Sequence, residues 1–317
     1  MQPERLDLPT GIRLPGEPEL ILAADVYLPA APFSTILVCF PGGAMNRHYW
    51  DLRAAGGDIT FSFAEQMAAR GFAVAAIDHP GVGESTRPAD SYALDLGVIA
   101  AANVAATRAL LEGLRVGTLI PGVAAMPQLK SVVVGHSMGA MFAIVQQASA
   151  RQHAGVAALG FATRGLPEFT PMEARELAAD PARLRAEAPR LARKMFVTDY
   201  PVIKPTTQAN GIYGGAAAEP AAIQALKAAH NHLLPVPAFL SIVPGNVAPE
   251  AAAIDVPVFV AVGERDMTGP ADQIPAAFTG SPKVDLQVLA EAGHSHFLFP
   301  SRIDLFDRLA DWARNLG

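Results

Sequence analysis

A single cysteine, Cys39, stands in a chain of 317 residues, so no intrachain disulfide can form. It lies in the apolar run Ile36-Leu37-Val38-Cys39-Phe40, where a buried, inert thiol is expected. Charge is scarce as well. Charged residues make up 17% of the chain, the net charge is −6, and no basic block occurs. This balance argues against a nucleic-acid partner and against docking on an anionic membrane surface. No apolar stretch approaches the ~18 uninterrupted residues of a membrane span, and the first residues lack the basic-then-apolar pattern of a leader. A cytoplasmic location is the expectation. No glycine-rich loop has the P-loop lysine or the dinucleotide spacing. His294 and His296 lack a third ligand cluster for a metal. Neither a cofactor nor a metal is expected.

Apolar residues are abundant, at 51%, enough for a sizeable core. The length suits a large α/β domain with an insertion. Two extended patterns at about 6–14 and 20–28, joined by Pro15-Gly16, read as a hairpin at a sheet edge. The continuous apolar run Thr35–Phe40 reads as a strand buried on both faces, 72–77 and 131–136 as further buried strands, and 156–161, 256–262 and Val284–Leu289 as strands. Helical spacing occupies 58–70, about 93–113 (closed by Gly113), 138–151 and 302–315. Strands alternating with helices imply a doubly wound, mostly parallel sheet. From 164 to 253 the strand pattern stops. Helical segments at 173–195 and 219–233 and many prolines take its place. This divides the chain into a core of 1–163 and 254–317 and a cap of 164–253, expected over the carboxyl ends of the strands, where such sheets bind ligands.

The run Val132-Val133-Val134 leads into Gly135-His136-Ser137-Met138-Gly139 and then into an alanine-rich helix. Strand, tight turn and helix make this pentapeptide a nucleophile elbow that pushes the Ser137 hydroxyl out of the sheet. A serine nucleophile needs a base, and the base an orienting acid. Asp266 follows one late strand in Gly263-Glu264-Arg265-Asp266, and His294 follows the last in Ala292-Gly293-His294. The order Ser, Asp, His suits an elbow-type enzyme. His296 rivals His294, and Glu264 rivals Asp266. The oxyanion donors are expected to be the N–H of Met138 and that of Gly43, with Ala44 as second choice. Tyr49, Trp50 and His296 are candidate pocket residues, with a solvent-shielding flank or loop packing as the alternative for the two aromatics and packing as that for His296. Asp78 is expected to fix a turn, His136 to pack beside the elbow, Arg47 to be a surface charge or an anion contact, and His230-Asn231-His232 to lie on a cap helix.

Together, Phe40-Pro41-Gly42-Gly43, Asp78-His79-Pro80-Gly81-Val82-Gly83-Glu84-Ser85, the elbow, Gly263-Glu264-Arg265-Asp266 and Ala292-Gly293-His294 resemble the α/β-hydrolase family over roughly residues 20 to 316. The resemblance implies the α/β-hydrolase fold with a helical cap and the esterase/lipase-like branch with a serine nucleophile. A serine counts against the epoxide-hydrolase and dehalogenase branches. Where the family often has His-Gly, this chain has Pro41-Gly42. The expected activity is hydrolysis of a carboxylic ester, lactone or thioester of a fairly hydrophobic small molecule. Acyl transfer through the same triad and a catalytically silent ligand-binding protein are the alternatives.

Overall fold

The computed structural model describes residues 2–203, 215 and 217–316. Its centre is an eight-stranded sheet. In chain order the strands are β1 (Glu4–Arg13), β2 (Glu19–Tyr27), β3 (Thr35–Phe40), β4 (Ala73–Ile77), β5 (Lys130–His136), β6 (Gly155–Leu159), β7 (Val258–Gly263) and β8 (Val284–Leu289). Their spatial order is β1-β2-β4-β3-β5-β6-β7-β8. The β1–β2 hairpin forms one edge, and β2 is antiparallel to β4; from β4 to β8 every pairing is parallel. The expected doubly wound, mostly parallel sheet is what the chain forms.

Side chains alternate across a strand. Ile36, Val38 and Phe40 of β3 and Val133 of β5 enter the core on one face. Leu37, Cys39, Val132 and Val134 enter the core on the other. This is why those strands read as unbroken apolar runs. Cys39 is fully buried, and burial pushes its thiol up.

The flanking helices of the sheet are α1 (Phe63–Ala69), α2 (Leu96–Val116), α3 (Met138–Ala150) and α9 (Arg302–Arg314). Three boundaries differ from expectation, each through a capping group. The helix expected at 58–70 begins at Phe63, where the Ser62 hydroxyl accepts from the Glu65 N–H at 3.1 Å. The helix expected at 93–113 starts after Asp95, whose carboxylate accepts from the Val98 N–H at 2.8 Å. It runs through Gly113 and closes at Gly117, which takes the left-handed conformation at φ 73°. α2 is long and apolar enough to cross a membrane by length and composition. Its Ile99, Ala102, Ala106, Leu110 and Leu114 are buried in the core on one face of the sheet.

Between β6 and β7 lie α4 (Met172–Leu177), α5 (Pro181–Phe196), α6 (Pro220–Leu226), α7 (Pro235–Ile242) and α8 (Ala248–Ala252). The expected single helix at 173–195 is split, because Pro181 starts a new helix and Asp180 caps it. The helix expected at 219–233 ends at Leu226, with a 3-10 turn at Lys227–Ala229. His230-Asn231-His232 is therefore not helical. The Asn231 N–H donates to the Ala44 carbonyl at 2.8 Å, tying this segment to the loop after β3. Positions 204–214 and 216 of the expected cap lie outside the described residues.

Candidate active site

The elbow is built by backbone sterics. Ser137 joins β5 to α3 at φ 54°, ψ −122°, a conformation L-residues seldom adopt. A Cβ on Gly135 would run into the carbonyl oxygen of Gly139, and one on Gly139 into those of Phe40 and Pro41. Both positions therefore have to be glycine. The Ser137 side chain does not cap α3. Its hydroxyl is left for another partner, and the first N–H groups of the helix stay open, with the positive end of the helix dipole.

The loops after β7 and β8 supply that partner. They are bonded to each other: the Glu264 N–H donates to the Leu289 carbonyl and the Arg265 N–H to the Ala292 carbonyl, both at 2.9 Å. This brings Asp266 and His294 together. The Ser137 hydroxyl donates to His294 Nε2 at 2.8 Å, and His294 Nδ1–H donates to Asp266 Oδ1 at 2.8 Å. The Asp266 side chain is 1% exposed and that of His294 8%. Burial alone would raise the Asp266 carboxyl. The charge and hydrogen bond of His294, reinforced by His296, hold it well below the usual range.

The rival residues settle elsewhere. Glu264 is exposed and accepts from the Glu291 N–H at 3.0 Å. His296 is fully buried and donates from Nε2 to Asp266 Oδ2 at 3.2 Å. It sits behind the acid and does not line the cleft. Tyr49 and Trp50 are likewise corrected from pocket walls to core. Both are fully buried. Tyr49 stacks on His136 at 4.6 Å and on Phe297 at 5.0 Å, while Trp50 meets Phe63 edge-on. Beneath the elbow, His136 donates from Nε2 to the His294 carbonyl at 2.8 Å, fixing the loop that carries His294. Burial, with the neighbouring His294 and His296, pushes His136 well below its ordinary pKa.

Gly42 and Gly43 flank the elbow on the other side. A Cβ on Gly42 would lie 3.2 Å from the Ser137 Cβ, so the glycine permits this approach. Ala44 takes a left-handed φ of 59°. The N–H groups of Gly43 and Met138 make no hydrogen bond within the described residues. The support of this loop was not foreseen. His79 is buried beneath it, donates from Nε2 to the Pro41 carbonyl at 3.1 Å, and accepts at Nδ1 from the Asn103 amide at 3.1 Å. Burial lowers its pKa to about 4, so it stays neutral. Arg47 is no surface charge. It is 4% exposed and pairs with Asp25 at 2.8 Å, Asp78 at 2.7 Å and Glu84 at 2.8 Å. Asp78 fixes the following turn as expected, accepting from the Arg47 and Glu84 N–H groups at 2.6 and 3.1 Å. Only His79's place in a quoted motif hinted at its role; nothing in the sequence linked Arg47 to Asp25.

The cleft has two lobes that meet at Ser137, Met138 and His294. One runs past Gly160, Phe161, Ala162, Leu166 and Thr268. The other runs past Gly43, Met45, Ile203, Leu233 and Ala238. Ser241 and Met267 border both. Histidine is the only titratable residue type in either wall among the described residues.

The model of the alpha/beta hydrolase family matches residues 37–304. The chain belongs to that family. Its fold is similar to that of a thermostable carboxyl esterase from Bacillus coagulans, at 15% identity over 100% of this chain and 99% of that one, with a TM-score of 0.66. It is similar to a thermophilic esterase from Thermogutta terrifontis, at 20% identity, 99% coverage of both chains and a TM-score of 0.57. It is also similar to an enol-lactonase from Burkholderia xenovorans, at 16% identity over 94% and 96% of the two chains, with a TM-score of 0.57. No curated protein matches the sequence.

Proposed function

We propose that this chain is a serine hydrolase that cleaves the carboxylic ester, lactone or thioester of a fairly hydrophobic small molecule. The observation that carries the reading is the continuous hydrogen-bond chain from Ser137 through His294 to Asp266, with 2.8 Å at both links. His294 Nε2 takes the hydroxyl proton as Ser137 Oγ attacks the carbonyl carbon. The carbonyl electron pair moves to oxygen, where the Gly43 and Met138 N–H groups receive it. Each such donor is typically worth about 3 kcal/mol of barrier. Collapse expels the alcohol or thiol, which leaves with the proton from His294. Water then attacks the acyl-enzyme with His294 again as base. The acid departs, and the proton returns to Ser137. Asp266 orients the imidazole and stabilises its charged form.

The mostly apolar, two-lobed cleft supports a substrate with uncharged groups on both sides of the scissile carbonyl. In the same proposal residues 164–253 act as the cap. Leu166, Leu233, Ala238 and Ser241 from this segment border the cleft. The cytoplasm is the proposed setting, supported by one fully buried cysteine in the whole chain. The test is a panel of p-nitrophenyl esters, lactones, thioesters and amides, assayed beside Ser137→Ala. The variant should lose activity by about 1,000-fold or more; substantial residual turnover removes Ser137 as nucleophile. An added alcohol that captures most of the acyl group would redirect the assignment to an acyltransferase.

A further inference from the structure

Asp266 is held from two sides. One oxygen accepts from His294, and the other accepts from His296 Nε2 at 3.2 Å. His296 Nδ1 is buried and has no partner among the described residues. A buried N–H without an acceptor is costly, so Nδ1 is the bare nitrogen and Nε2 carries the hydrogen. The ring is thus fixed as a donor to the carboxylate. It cannot easily swing away: it meets His136 edge-on at 5.7 Å, and the next residue, Phe297, is wedged against Tyr49 and Phe63.

We infer that His296 is a positioning residue: its hydrogen bond to Oδ2 locks the Asp266 carboxylate so that Oδ1 stays in line with His294 Nδ1. The inference rests on the reading of Ser137, His294 and Asp266 as the catalytic triad. The physical reason is rotation. A carboxylate turns about its Cβ–Cγ bond, and a single hydrogen bond leaves the second oxygen bare. At 1% exposure, water is poorly placed to satisfy that oxygen. His296 both stops the rotation and shares the negative charge. Without it, the charge falls on His294 alone, the imidazolium is favoured, and activity declines at a higher pH on the acid side. The titratable groups around this carboxylate are His294, His296, His136 and Tyr49, whose hydroxyl burial and Asp266 both push up. Glu264 and Arg265 of the same loop are exposed and engage Glu291 instead.

The experiment compares His296→Leu with His296→Gln, whose amide keeps a donor at the Nε2 position. Three quantities are read: kcat against KM, the pH profile of kcat/KM, and the low-field proton resonance of the His294–Asp266 hydrogen bond. His296→Leu should lower kcat about 10- to 100-fold, the range expected for a slight misplacement, with KM little changed. Its acid fall-off should move up in pH, and the low-field resonance should shift or vanish. His296→Gln should restore all three. A folded His296→Leu protein with wild-type kcat, profile and resonance overturns the inference, as does a His296→Gln protein equally impaired. Should His296→Leu fail to fold, His296→Asn, too short to reach Oδ2, takes its place in the comparison. If the wild-type protein turns over no ester, the triad reading fails separately. The resonance still decides this point: loss in the Leu variant and retention in the Gln variant support the lock, and no change refutes it.

Discussion

Ser137, the proposed nucleophile, sits in a strained conformation. Its φ of 54° places a non-glycine residue where backbone and Cβ crowd each other, at a typical expense of about 1–3 kcal/mol. Ser137→Gly should therefore be more stable than Ser137→Ala by about 1 kcal/mol, while both lack activity. Urea denaturation of the two variants measures this, and equal stabilities would contradict it. The elbow was legible because its two glycines are required by backbone contacts that any Gly-x-Ser-x-Gly turn must make. The choice between His294 and His296 was less so. Residues two apart offer no periodic distinction, and only the bonded β7 and β8 loops decide which ring faces Ser137. Whether Tyr49 and Trp50 are pocket walls or packing residues was open in the sequence for a related reason. A loop aromatic turns inward or outward according to what stands behind it, here Phe63, Phe297 and His136.

The loop after β3 is an element held from beneath rather than by its own sequence. His79 grips the Pro41 carbonyl, and the Arg47 backbone is fixed by Asp78. This is the support that the missing histidine of the family pattern left open. Arg47 neutralises two carboxylates that are themselves 5% and 0% exposed, Asp25 and Asp78. Removing one partner of such a buried cluster typically destabilises by about 3–5 kcal/mol. Arg47→Met should lower unfolding free energy by that order and reduce ester turnover with it. Chemical denaturation checks the first part, and a loss under about 1 kcal/mol would mean that water takes over the arginine's role. The central strands β3 and β4 were the most legible elements, since burial on both faces leaves an unbroken apolar run. The helices between β6 and β7 were legible as helical but not in their limits, because Pro181 restarts one where spacing alone suggests continuity and α6 stops at Leu226, short of the expected 233.

Across the whole molecule, the sheet places separate cores on its two faces, and buried histidines lie among them. Burial lowers His79 to about 4 and His153 to about 3, from an ordinary 6.5. In the unfolded chain both titrate near 6.5, so below that pH the unfolded form takes up protons that the folded form refuses. Stability is then lost as pH falls from 6.5 towards 4 and 3, at about 1.4 kcal/mol per pH unit for each histidine. His136 adds in the same direction. Asp266, held below the usual carboxylate range, adds a further loss only at lower pH. Unfolding free energies measured between pH 7 and 4.5 should fall steadily, and a flat curve would contradict the neutral, buried state of these rings.

The hydrogen bond between Ser137 and His294 spans 157 positions of sequence, and Asp266 and His294 follow the last two strands in the chain. During synthesis Ser137 emerges more than a hundred residues ahead of His294. On the proposed reading, until β7 docks against β6 and β8 against β7, Ser137 is an ordinary alcohol with nothing to remove its proton. On that reading the chain is thus chemically silent while it is being made, and the onset of turnover would mark the moment at which its sheet is complete.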